Sequence, residues 1–332
     1  MEQRQVRILG TGKYMPKRIV TAEEMDARLG VPAGWVLRKT EVAVRHYADG
    51  ETASDMGARA AYAAMEAAGL AFEDIDCLVS VCGTKEQALP CMAALIQRAM
   101  GQDDTGVPAF DIDATCLSFL TGLDVMSYMV AAGRYDRVLL VSTEIASIGL
   151  NWANKESAAL FGDGAAAVVI GRATERSGSR ILRASIRTYS KGAALSEIRG
   201  GGTRLHPREY RKETEEDFLF HMDGPGIYRM AAKLLPGFVE ELFAPLGMRM
   251  KDVHTVIPHQ GSAMAMKLLE RKLGISPKQM MVITPNHGNT IAASIPMGLH
   301  EAIVQGRIER GDRVLLLGTA AGLSLGGLLL DY

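Results

Sequence analysis

Three residues of this chain have the types and settings that carry chemistry: a thiol, an imidazole and a carboxamide. Cys116 stands in Asp-Ile-Asp-Ala-Thr-Cys-Leu-Ser-Phe-Leu-Thr-Gly-Leu at 111–123, His259 in Pro-His-Gln-Gly at 258–261, and Asn289 in Asn-His-Gly-Asn-Thr at 286–290. The chemistry of a cysteine is nucleophilic, and the thiolate is its active form. Each residue alone has a plainer reading: a small core thiol, a structural histidine, and a turn residue beside Gly288. Their shared placement favours the chemical reading, because each follows an apolar strand-like run, and ligands of α/β sheets collect at the carboxyl ends of strands.

The hydrophobic period changes at Cys116. Residues 107–112 read as a short buried strand, whereas Leu117, Leu120, Leu123 and Met126 keep helical spacing. Cys116 therefore belongs at a strand-to-helix turn, where the partial positive charge of a helix N-terminus favours the thiolate. Strands at 255–257 and 281–283 lead into the His259 and Asn289 loops. In the first half the pattern predicts strands at 6–10, 76–81 and 137–142, and two strands around the Gly-Asp-Gly turn at 162–164. Helices are expected over 21–29, over 52–68 before Gly69, and over 91–100 before Gly101.

The second half repeats this order. Leu-Gly-Met at 246–248 echoes Ala-Gly-Leu at 68–70, and Lys-Asp-Val-His at 251–254 echoes Glu-Asp-Ile-Asp at 73–76, both offset by 178. Gly-Leu at 298–299 echoes 122–123, and Gly-Asp-Arg-Val-Leu-Leu-Leu-Gly-Thr at 311–319 echoes 135–143, both offset by 176. Four echoes nearly in register imply two βαβ-type halves of like topology. The expected division is 1–172 with the thiol and 173–332 with the imidazole and the amide. Between them, the charged stretch 200–218 reads as a solvated loop or helix face, or else as a cap over a substrate entrance.

Composition narrows the partners. The 332 residues are 48% hydrophobic and 23% charged with a net charge of -1 and no basic run, so nothing points to a nucleic-acid surface. The partner expected is a small molecule or another protein. Cys77, Cys82, Cys91 and Cys116 lack metal-ligand spacing and suggest neither zinc nor a disulfide framework. Reduced thiols fit a cytoplasm. The polar start lacks a signal peptide's apolar core, and no apolar run is long enough to span a bilayer.

In order and spacing, Glu-Thr-Ala-Ser-Asp-Met at 51–56, the Cys116 turn, Phe-Gly-Asp-Gly-Ala at 161–165, Pro-His-Gln at 258–260 and Gly-Asn-Thr-Ile-Ala-Ala-Ser at 288–294 resemble the thiolase-fold condensing enzymes. The branch they resemble most is ketoacyl-acyl-carrier-protein synthase III. The resemblance implies a duplicated α/β fold in five αβαβα layers, a homodimer, and Cys116, His259 and Asn289 in the catalytic positions. It implies no cofactor beyond coenzyme A thioesters as substrates: an acyl-CoA that loads Cys116, then malonyl-CoA or malonyl-acyl carrier protein as extender, with acyl carrier protein as a partner. Backbone N–H groups of Cys116 and, by position, Ala321 would meet the oxyanion. A neutral His259 and the Asn289 amide would hold the malonyl oxygen as carbon dioxide leaves. No second cysteine follows Cys116, which favours decarboxylative condensation over reversible thiolysis.

By the same resemblance Trp35, Lys39, Leu89, Lys155, Gly224 and Thr319 would contact substrate. Lys39 and Lys155 stand where the family has arginines, and lysine neither stacks nor bonds bidentately. Thr319 replaces a common Phe, which bears on extender use. Leu89 replaces the glutamate of OleA-type head-to-head enzymes and argues against that reaction. Two other functions remain open from the sequence: transfer of the Cys-bound acyl group to a non-malonyl nucleophile, and a non-catalytic subunit.

Overall fold

The computed structural model describes residues 3–174 and 177–332. Apolar runs of period two and longer apolar segments build two mixed sheets. The first has strand order β1-β7-β6-β4-β5, from β1 (Val6–Tyr14), β4 (Cys77–Ser80), β5 (Ala109–Asp111), β6 (Arg137–Glu144) and β7 (Gly164–Arg172). The second has order β11-β12-β13-β8, from β8 (Arg180–Thr188), β11 (Thr255–Pro258), β12 (Arg313–Ala320) and β13 (Ser324–Asp331). In each sheet a parallel pair, β4·β6 or β11·β12, continues into antiparallel neighbours. Two hairpin-like pairs lie outside the sheets: β2 (Arg18–Thr21) with β3 (Val44–Tyr47), and β9 (Ser196–Glu197) with β10 (His221–Met222).

Helices fill the other three of the five layers. On the outer face of the first sheet lie α3 (Ala53–Ala68) and α4 (Met92–Ala99); between the sheets lie α5 (Ser118–Ala131) and α10 (Ser294–Val304); beyond the second lie α7 (Gly224–Phe243) and α8 (Ala263–Leu273). Thr52 and Asp55 form a capping box that starts α3, and Gly69 with φ 67° ends it. Its alanine face lies directly on β1: a Cβ on Gly10 would stand 2.3 Å from the Ala64 carbonyl oxygen. The middle helices approach their sheets in the same way. A Cβ on Gly122 would meet Val81 Cγ1 at 2.3 Å, and one on Gly298 would meet Ile257 Cγ2 at 2.9 Å. Both residues of the second contact lie 176 positions after those of the first, so the Gly-Leu echo marks the same helix-on-strand contact made twice. Leu117, Leu120 and Leu123 with Ile257, Ile295, Leu316 and Leu328 form the core between the sheets, each fully buried side chain contributing about 1.5–3 kcal/mol.

Three sequence expectations are corrected. The run at 107–112 is a strand only over Ala109–Asp111, at the sheet edge, with Phe110 38% exposed; an apolar run reports burial only when both faces are covered. The run at 281–283 forms no strand; Met280 makes one parallel bridge to Val256, and the Gln260 side chain holds the backbone beyond it. Around 162–164 only the following strand forms, because Gly162 packs on the His287 carbonyl, 2.1 Å from where a Cβ would lie, and Phe161 bridges to Asn289.

Candidate active site

Cys116 is the middle residue of a 3-10 turn, Thr115–Leu117, that runs into α5. Thr115 has φ 52°, a left-handed conformation that a β-branched side chain rarely adopts. Asp113 Oδ1 accepts its N–H at 2.8 Å, and the Ser118 hydroxyl donates to its carbonyl at 2.7 Å. The backbone N–H groups of Cys116 and Ala321 both hydrogen-bond to the Cys116 sulfur. Ala321 lies just past β12, so the two donors come from opposite halves.

The expected resting thiolate is corrected. Burial first, and the negative charge of Glu144 second, push the Cys116 thiol up to about 12. A turn separates the sulfur from α5 proper, and these two effects outweigh its N-terminal dipole. Glu144 ends β6 and is fully buried. Its carboxylate accepts from Gly83 N at 2.6 Å, Thr84 N at 2.9 Å and Thr84 Oγ1 at 2.6 Å. Burial nevertheless pushes the carboxyl up to about 8.

His259 follows β11 and is 7% exposed. Burial pushes it down to about 4, opposed by a hydrogen bond with the Ile291 backbone, so it is a neutral imidazole at pH 7. Its Nδ1 lies 2.7 Å from Ser294 Oγ. Asn289 Oδ1 accepts from Ile291 N at 2.9 Å and its Nδ2 donates weakly to Gly261 O at 3.3 Å, which leaves amide hydrogen free to donate elsewhere. Between the His259 and Asn289 loops the buried Gln260 side chain donates to Pro258 O and Met281 O and accepts from Ile283 N, Thr284 N and Thr284 Oγ1.

Glycines let these pieces meet. A Cβ on Gly318 would lie 2.9 Å from His259 Cβ and 3.1 Å from Leu117 Cδ2, and one on Gly261 would lie 3.5 Å from His259 Nε2. A Cβ on Gly83 would lie 2.8 Å from Ile291 Cγ2 and 3.3 Å from the Thr115 carbonyl. Cys116, Ala321, His259 and Asn289 are therefore gathered in one place, with the neighbouring turn Ile291–Ala293, itself strained at Ile291 (φ 51°), facing the Cys116 turn.

The remaining candidates lie farther out. Trp35 opens α2 (Trp35–Thr40) and packs in a cluster with Phe161, Phe220 and Ile291. Lys39 lies 5.9 Å from the Trp35 ring centroid and pairs with Glu156 at 3.2 Å, while Lys155 Nζ donates to Gly30 O at 3.4 Å. Leu89 is 83% exposed. Gly224 opens α7, and Thr319 pairs with Leu325 near the end of β12. The polar flank of Leu89 serves structure in part, since Glu86 accepts from Ser54 N at 2.8 Å. Cys82 is buried, its sulfur accepting from Thr143 N at 3.3 Å. The charged stretch at 200–218 is mostly exposed, and Phe220 just beyond it meets Phe161 edge-on at 5.2 Å. No described helix is long and apolar enough to cross a membrane, and no described group of side chains could hold a metal ion.

Sequence reasoning missed Glu144 and Ser294. Nothing local marks Glu144, a lone acid at a strand end. Ser294 had a signal: carrying the Gly-Leu echo four residues back pairs Ser294 with Ser118, again offset by 176.

Residues 110–190 match the family model described as "3-Oxoacyl-[acyl-carrier-protein (ACP)] synthase III", and residues 243–332 match its C-terminal counterpart. The chain is 33% identical over 326 residues to the "Beta-ketoacyl-[acyl-carrier-protein] synthase III" of Acidiphilium cryptum (strain JF-5), covering 97% of this chain and 98% of that one. It is similar to the crystal structure of 3-oxoacyl-[acyl-carrier-protein] synthase III from Aquifex aeolicus VF5, with a TM-score of 0.88, 30% identity and full coverage of both chains. The priming β-ketosynthase from the R1128 polyketide biosynthetic pathway superposes with a TM-score of 0.89 at 27% identity, over 99% of this chain and 97% of that one.

Proposed function

Since the chain belongs to the 3-oxoacyl-[acyl-carrier-protein] synthase III family, thiolase-fold condensing enzymes that act as acyltransferases, we propose that Cys116 takes an acyl group from acyl-CoA and passes it to a malonyl thioester. The observation that carries this reading is the pair of backbone donors on the Cys116 sulfur, Cys116 N and Ala321 N, beside neutral His259 and oriented Asn289. In the first step the sulfur bonds to the acyl carbon, the two N–H groups stabilise the oxyanion, and coenzyme A leaves as the thiol, taking up the proton that Cys116 gives up. In the second step the malonyl carboxylate leaves as carbon dioxide, and its bonding electrons pass into an enolate. The enolate oxygen accepts from the imidazole N–H and the Asn289 amide. The carbanion then attacks the acyl carbon, and the Cys116 sulfur departs as the thiolate and takes up a proton from water to restore the thiol. Neutral donors suit this step, because a charged His259 is disfavoured by burial.

Trp35, Lys39 and Lys155 are assigned to coenzyme A, with Leu89, Gly224 and Thr319 on the acyl path; this is supported by Lys39, which lies beside the Trp35 ring and pairs with Glu156, the neighbour of Lys155. The extender is malonyl-CoA or malonyl-acyl carrier protein, so acyl carrier protein is the expected protein partner. We assign the halves to residues 1–172 and 173–332. A homodimer is supported by the open edge at β5 and by exposed Leu89 and Ile148, and four free thiols suit a cytoplasmic enzyme.

The test is intact mass spectrometry after exposure to a panel of acyl-CoAs, then addition of malonyl-CoA or malonyl-acyl carrier protein. An acyl adduct on Cys116 that the extender discharges into a 3-oxoacyl product is expected. Absence of any adduct, or discharge by amines or alcohols but not by malonyl thioesters, would overturn the condensing scheme.

A further inference from the structure

We infer that Ser294 is the positioning residue that sets the tautomer of His259, so that the imidazole presents its Nε2–H to the site. The inference deepens the condensing reaction proposed above and rests on it for its catalytic part. Ser294 is fully buried as the first residue of α10. Its oxygen has two polar neighbours among the described residues, Gln260 N at 3.3 Å and His259 Nδ1 at 2.7 Å.

A hydroxyl carries one hydrogen, and a buried one needs an acceptor. Gln260 N–H is a donor and cannot serve. If His259 Nδ1 carried its proton and donated to Ser294, the serine hydrogen would point at nothing, at the cost of a buried unsatisfied group. The arrangement that satisfies every group has Ser294 donating to Nδ1, which leaves the ring proton on Nε2. Nε2 is the ring nitrogen that lies nearest Gly261 and, through it, Asn289. Two N–H donors, one from His259 and one from Asn289, thereby address the same oxygen of a substrate.

The first half shows that this use of the serine is particular. Ser118 occupies the equivalent first position of α5, and its hydroxyl has its short contacts, at 2.7–3.1 Å, with backbone: Cys82 O, Thr115 O and Ala114 N; its one side-chain neighbour, Asp113 Oδ1, lies at 3.5 Å. In the second half the matching hydroxyl has been turned from a backbone partner to an imidazole.

The test uses full-length protein labelled with 15N-histidine, with the His259 resonances assigned by their loss in His259→Asn. Wild type is expected to show a protonated Nε2 and a hydrogen-bonded, unprotonated Nδ1. In Ser294→Ala the ring should become a mixture of tautomers. Carbon dioxide release from malonyl-CoA by the acylated enzyme should fall about 10-fold to 100-fold, by analogy with the loss when the outer partner that orients a metal-bound histidine is removed. Loading of Cys116 should change less, and Ser294→Thr should restore both the tautomer and the release. A wild-type ring protonated on Nδ1, or an alanine variant with unchanged tautomer and release, would overturn the assignment. If Ser294→Ala does not fold, the wild-type spectrum alone decides. If the extender is not a malonyl thioester, neither protein releases carbon dioxide while the tautomer still shifts, which removes the proposed reaction and supports the role of Ser294.

Discussion

The two halves bring equivalent pieces face to face and use them differently. The turn Thr115–Leu117 with α5 and the turn Ile291–Ala293 with α10 share an offset of 176, a strained first residue and a serine at the helix start. In the first half the middle residue of the turn is the thiol. In the second it is Ala292, fully buried and without chemistry, and the polar groups stand instead at the loop ends, as His259 and Asn289. Duplication has supplied a symmetric frame, and the symmetry is broken where the substrate would sit. Side chains that depart from an otherwise consistent pattern are where function is expected.

The hardest blow to the first half is Cys116→Ala. It should abolish covalent acylation and leave the fold intact, read by intact mass and circular dichroism. Adding Ala292→Cys should not rescue it, because position 292 is fully buried and out of reach of a substrate; an adduct on that thiol would mean that the halves are interchangeable. Asn289→Ala strikes the other half. Carbon dioxide release should fall about 10²-fold to 10³-fold, as when one oxyanion donor is lost, while loading stays near normal. Equal damage to both steps would make Asn289 a structural residue.

Acidity separates the halves more gently. In the second half burial holds both His259 and His287 down to about 4 from an ordinary 6.5. The unfolded chain therefore takes up protons first, and the stability these rings contribute is full above pH 6.5 and is lost as pH falls towards 4, by about 3 kcal/mol for each at most. His259→Asn should flatten the melting temperature between pH 6.5 and 4; an unchanged slope would refute the burial argument. In the first half the sign is opposite. Glu144, raised to about 8, keeps its proton in the folded state up to about that pH and is charged above it, and its contribution is full below 4.5 and lost as pH rises through 8. The smallest expected effect follows from its charge. In Glu144→Gln the pH midpoint for alkylation of Cys116 should move down, since the carboxylate is the second cause of the raised thiol; a midpoint that stays or rises would show that Glu144 acts on the loop at Gly83 alone.

Much of this was legible because it is written in periods and repeats. The change of period at Cys116 located the turn that carries the thiol, and the echo of 135–143 in 311–319 gave β6 and β12, whose ends place Glu144 and Ala321. Burial by a partner element was not legible. Residues 107–112 have the apolar content of a buried strand but lie at an open edge, and 281–283 is held by the Gln260 side chain in place of a ladder. The resting thiol was misjudged for a related reason. The helix dipole can be inferred from position along the chain, whereas Glu144 reaches Cys116 only through the fold.

The origin of the two N–H groups on the Cys116 sulfur carries a consequence for the order of synthesis. Cys116 leaves the ribosome 205 residues ahead of Ala321, and a nascent first half carries the thiol with only one of the two N–H groups that meet its sulfur. Until β12 is laid beside β11 and the chain turns at Ala321, the thiol has no complete site in which to trap an acyl group. On the proposed reaction, reactivity is withheld from the unfinished chain and conferred when its two halves close on one another.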